Sequence, residues 1–185
     1  VAALGLEASQ IPYAASLKRL AMLQDLESVA ALFADGPAAK ELDPRAAARA
    51  DAKLFTATLG YLKSRARVTT NPDELSKLAV ASEPSVVRNV LLNPRLTEDL
   101  VVRIAARRPA RPEPLIEIWR STRWSHLHAV RRALAFNPYL PPEVGAKIVP
   151  LLSTTDLAEL ARTSSIHEAL RTQAKALLEA SRRRA

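Results

Sequence analysis

The stretch that decides the fold is Val130-Arg131-Arg132-Ala133-Leu134-Ala135-Phe136-Asn137-Pro138-Tyr139-Leu140-Pro141-Pro142-Glu143-Val144. Val130 and Leu134 are four apart, the spacing of one helix face. Asn137-Pro138 stops that helix. Proline disfavours the α conformation in the residue before it, and asparagine bonds nearby backbone to tighten a turn. Pro141-Pro142-Glu143 starts the next helix, with proline in the first turn and an acid at the positive end of the dipole. A second stretch aligns without a gap: Val86-Val87-Arg88-Asn89-Val90-Leu91-Leu92-Asn93-Pro94-Arg95-Leu96, followed by Thr97-Glu98-Asp99-Leu100.

The spacing of these turns carries the architecture. Asn71-Pro72 precedes Asn93-Pro94 by 22 residues, and Asn137-Pro138 follows after 44, twice that interval. Self-similarity at such a period is the mark of stacked helical repeats. The long interval holds a degenerate unit in which Pro109, Pro112 and Pro114 precede Leu115, Ile118 and Trp119. Thr154-Thr155-Asp156 then leads into Leu157 and Leu160, and a last helix runs from about Ser165 to Ser181. Ahead of the repeats, Leu17, Leu20, Leu23, Val29 and Phe33 predict one long amphipathic helix closed by Asp35-Gly36-Pro37. A second runs from Asp43-Pro44 to about Arg65.

The block Val130-Arg131-x-x-Leu134-Ala135-x-Asn137-Pro138-x-Leu140-Pro141-x-Glu143 closely resembles the leucine-rich repeat variant family. The resemblance covers about residues 70–180 and is strongest in two units. The earlier copy has Val87 where the motif has arginine and Thr97 where it has proline. It implies a right-handed superhelix of short helices, akin to HEAT and armadillo arrays, acting by partner binding and not by catalysis. Some family members carry a cysteine-ligated cluster, which this cysteine-free chain does not.

Elementary physics leads to the same class. A ten-residue helix is marginal alone and buries its apolar stripe only by stacking on neighbours. The expectation is therefore an all-α chain: a right-handed α-solenoid of short helix pairs with two longer N-terminal helices. Residues 1–68 form a helical extension or cap on the first repeat, and residues 69–185 the repeat domain.

Composition narrows function. The chain has 185 residues, 48% of them hydrophobic, with only four glycines and 4% aromatics. No glycine-rich phosphate loop exists, and without cysteine there is no thiolate metal site, disulfide or cysteine nucleophile. His126 and His128 stand two apart and His167 alone, which is not the i, i+4 arrangement of a zinc pair. No catalytic constellation, cofactor or metal is expected. No apolar run is long enough to span a membrane, and a cytoplasmic location is expected. The chain begins at Val1 and not Met, which reads as a piece of a longer one.

The net charge of +8 is concentrated. Residues 103–132 carry eight arginines against two glutamates, with Trp119 and Trp124 interleaved. Arginine forks carboxylates and phosphates and stacks on aromatic rings. Part of this window serves packing, one arginine of the Val-Arg-Arg element laying its stem along the repeat to bond a carbonyl or an acid. The partner-binding candidates are Arg107, Arg108, Arg111, Arg120, Arg123 and Trp124. The expected function is a non-enzymatic protein–protein interaction scaffold that takes an acidic or helical partner on a basic surface. The rival is a nucleic-acid-binding HEAT-like module. Against it, the position before the second apolar anchor reads Lys77, Arg103, Glu117, Lys147, Glu159, so two acids interrupt the basic ladder. A HEAT-like DNA glycosylase would draw on Trp119, Trp124 and Glu117. The apolar face of the first helix offers a surface for a homodimer.

Overall fold

A computed structural model of the chain describes residues 13–45, 57–79, 81 and 83–184. Every regular element among these residues is helical, as the periodicity predicts. The chain divides into two compact units: Glu41–Tyr139, and Val1–Lys40 together with Leu140–Ala185.

The Glu41–Tyr139 unit contains α3 (Leu59–Val68), α4 (Pro72–Leu78), α5 (Pro84–Leu91), α6 (Glu98–Ala106), α7 (Pro112–Arg120) and α8 (His128–Ala135). Alternate helices pack together. α3, α5 and α7 form one row, and α4, α6 and α8 another. Each helix starts where the sequence supplies a start. Asn71 accepts a bond from the Asp73 amide (2.9 Å), and Thr97 accepts one from the Leu100 amide (3.4 Å). Proline occupies the first turn of α4, α5 and α7. The two aligned stretches share four buried apolar positions, although Val87 is interior where Arg131 is half-buried. Val86, Val90, Leu91 and Leu96 are interior, as are Val130, Leu134, Ala135 and Leu140.

The other unit joins the two ends of the chain. Its helices are α1 (Ala14–Leu23) and α2 (Glu27–Ala30) with the 3-10 turn Ala31–Phe33, then α9 (Pro142–Ile148) with the 3-10 turn Val149–Leu151, α10 (Thr154–Arg162) and α11 (Glu168–Arg184). α11 packs on α10, α9 and α2, and the Ala31–Phe33 turn packs on α9. Gly145 makes the α9–α11 approach close: a Cβ there would stand 2.4 Å from Leu170 Cδ1.

Three expectations change. The long first helix is broken, because Asp25 adopts a left-handed conformation (φ 54°) after α1. The break turns Ala30 and Phe33 into the interior and leaves Leu17, Leu20 and Leu23 exposed. The first helices, expected as a cap on the first repeat, find packing partners in α9 and α11. The helix expected from Pro44 to Arg65 does not run unbroken: Thr58 is extended and caps a fresh start at Leu59. Asp43 does accept a bond from the Arg45 amide (3.0 Å), while residues 46–56 lie outside the described residues.

Candidate binding surface

The six arginine and tryptophan candidates lie on the Glu41–Tyr139 unit, at two places set by α7. Arg111 is its N-cap and Arg120 its last residue, about 13 Å apart along the axis at 1.5 Å per residue.

At the first end, the chain leaving α6 is tied to the turn that follows α8. The buried amide of Asn137 donates to the carbonyls of Ala105 (2.7 Å) and Arg107 (3.0 Å). The Arg108 guanidinium donates to the Phe136 carbonyl. Arg132 stacks over the Phe136 ring, 4.8 Å from its centroid. The Arg107 side chain is exposed and makes no side-chain bond among the described residues.

At the other end, the Ser121–Leu127 segment lies against the end of α5. Trp124 is 5% exposed and donates its indole N–H to the Leu91 carbonyl (2.9 Å). It is an interior residue lying in a turn, not a stacking face on the surface. Arg123 covers it from outside, 4.5 Å from the ring centroid, and donates to the Asn93 carbonyl (3.2 Å). Trp119, the other tryptophan of the arginine window, is half-buried.

Arg120 shares an acid with Arg88, a residue outside the predicted set. Arg88 bonds Glu117 through two nitrogens (2.9 and 3.1 Å), and Arg120 bonds it at 3.4 Å. The Glu117 side chain is 4% exposed, against 62% for Arg88 and 57% for Arg120. The Arg88 hydrogen bonds hold the Glu117 carboxyl below the usual carboxylate range, against the burial that pushes it up. This acid, which interrupts the basic ladder in the sequence, is thus turned inward as an anchor. Nothing local marks Arg88: it lies fifteen residues before the arginine window, and its acid follows 29 residues later.

The electrostatic consequence depends on the partner type. An arginine held by a carboxylate is largely neutralised. One held by a carbonyl is fixed in place and keeps its charge. Arg108, Arg123 and Arg131, the last bonding the Ser125 carbonyl at 2.8 Å, are of the second kind. Among the described residues no cluster of His, Cys, Asp or Glu is placed to hold a metal ion, and no helix is long and apolar enough to cross a membrane. Compared with known proteins, the chain matches no family model, no curated protein and no solved structure.

Proposed function

We propose that this chain is a non-enzymatic binding scaffold, a leucine-rich-repeat-variant-like α-solenoid that offers its arginine-bearing turns to an acidic protein surface. The observation that carries this reading is the set of guanidiniums fixed by backbone carbonyls at Arg108, Arg123 and Arg131. Long side chains ordinarily lose about 2 kcal/mol of rotamer freedom when they engage a partner. Here part of that loss is met on folding, so the cations wait in place with their charge uncompensated. Trp124 supports Arg123 from beneath and does not touch the partner.

The test is affinity capture by the intact chain and by an Arg107→Glu variant, with captured proteins identified by mass spectrometry. Arg107 is the clean probe because its side chain has no role in the described packing. Acidic proteins retained by the unmodified chain and lost from the variant support the scaffold; identical captures overturn it. In parallel, a short DNA duplex is titrated at about 50 and 200 mM salt. Tight binding that falls steeply with salt, and that the variant weakens, moves the reading to the nucleic-acid module.

A further inference from the structure

The unit built from the two chain ends holds a cavity of about 520 Å³ between α1, α2 and the start of α11. That is the size range of small-ligand sites. Its apolar lining is Met22 with Ala30, Ala31, Ala34 and Ala169, small side chains that leave room for a slender stem. Its polar lining opposes the sign of the whole chain. Asp25, Glu27, Asp35 and Glu168 line it, with Lys18, His167 and Thr172. Lys18 is committed to Asp35 (3.1 Å), and this bond holds the Asp35 carboxyl below its ordinary range. His167 turns its Nδ1 to the Ala169 amide (3.2 Å). Asp25, Glu27 and Glu168 have no cationic partner among the described residues.

Two further facts define what would complete the cavity. The carboxylates do not form a cluster able to hold a metal ion. An apolar floor would also be wasted on a bare ion. A spread set of acceptors above an apolar floor suits a flat cation with several donors on a hydrocarbon stem. Guanidinium has five N–H donors in a plane, whereas ammonium is a compact point charge. We propose that this cavity binds an alkylguanidinium of arginine side-chain size, its stem on the alanine floor and its head among Asp25, Glu27 and Glu168.

The experiment is a titration of the full isotope-labelled chain, followed by amide chemical shifts. The probes are Nα-acetyl-arginine amide and its uncharged counterpart Nα-acetyl-citrulline amide. Saturable shifts at Ala30, Ala31, Ala169 and Thr172 are expected with the arginine probe. The citrulline probe should bind about tenfold more weakly or worse, the equivalent of one charge-assisted hydrogen bond. A variant carrying Asp25→Asn, Glu27→Gln and Glu168→Gln should lose the arginine response by a similar factor. Asparagine tolerates the left-handed backbone at position 25, so the fold is kept. No saturable shift at these residues, or equal binding of the two probes to the unmodified chain, overturns the proposal whether or not the variant folds. Agmatine and a peptide with a central arginine distinguish the source. Tighter peptide binding assigns the cation to a polypeptide, and equal binding assigns it to a free guanidine; both support the site.

Discussion

Asn93 and Asn137 are interior residues whose amides terminate other helices. Asn93 donates to the carbonyls of Ala66 (2.9 Å) and Thr69 (3.0 Å) at the end of α3, and accepts from the Arg95 amide (2.8 Å). Asn137 does the same at the end of α6, accepting from the Tyr139 amide (3.0 Å). The last carbonyls of a helix have no partner within it, and a buried unsatisfied one costs about 1–3 kcal/mol. We expect Asn93→Ala and Asn137→Ala each to lower unfolding free energy by about 2–3 kcal/mol in urea titrations. Asn71, which only caps its own helix and is exposed, should cost about 1 kcal/mol. Equal losses at all three positions would contradict this assignment. Glu117 sets a second residue-scale expectation. Arg88→Met leaves a buried carboxylate with Arg120 alone and should destabilise by about 1–3 kcal/mol. Adding Glu117→Met should recover part of that loss, because an apolar pair replaces a buried ionic one at little cost. A strictly additive double variant would count against the coupling.

At the scale of the element, most helices from α4 onward were legible and the N-terminal ones were not. Proline, threonine and asparagine at the starts of α4–α7 and α9 announce themselves locally. The cap of α10 is Ser153, one residue before the Thr154-Thr155-Asp156 that leads into it in sequence; the Ser153 hydroxyl accepts from the Asp156 amide at 3.1 Å. The break after α1 has no proline or glycine to mark it. It exists because burying Ala30 and Phe33 against α9 and α11 outweighs a left-handed aspartate, a residue type that tolerates that conformation. Gly145 makes a testable point about α9. Alanine ordinarily favours a helix by up to about 1 kcal/mol over glycine. Here its Cβ would press on the buried Leu170, so Gly145→Ala should destabilise by about 1–2 kcal/mol, read as a lowered melting temperature. Leu170→Val in the same chain should restore part of it. Stabilisation by Gly145→Ala alone would mean that α9 and α11 are less closely packed.

For the whole molecule, the acid limb of stability follows from two carboxylates in the Glu41–Tyr139 unit. Glu74 is held below its ordinary range by the Arg65 hydrogen bonds and the Thr69 hydroxyl, and Glu117 by Arg88. A depressed carboxyl stabilises the fold fully above its unfolded value, near pH 4.3, and loses that contribution as pH falls through the folded value. Thermal stability should therefore be level down to about pH 5 and decline below about pH 4.3. Glu117→Gln should flatten that decline while lowering the plateau; an unchanged slope would exclude Glu117 as a contributor.

Residue order alone settles the helical class, the helix starts of α4–α7 and α9 and the shared buried apolar positions of the two aligned stretches. These depend on local backbone chemistry and on a periodicity that any neighbour would satisfy. Tertiary structure alone decided which side chains meet. It turned Trp124 inward onto the Leu91 carbonyl, paired Arg88 with an acid 29 residues away, and brought the two chain ends together around the carboxylate-lined cavity. Such partners are chosen by distance in space and by the cost of leaving a buried polar group unbonded, and neither quantity is written in the order of the residues.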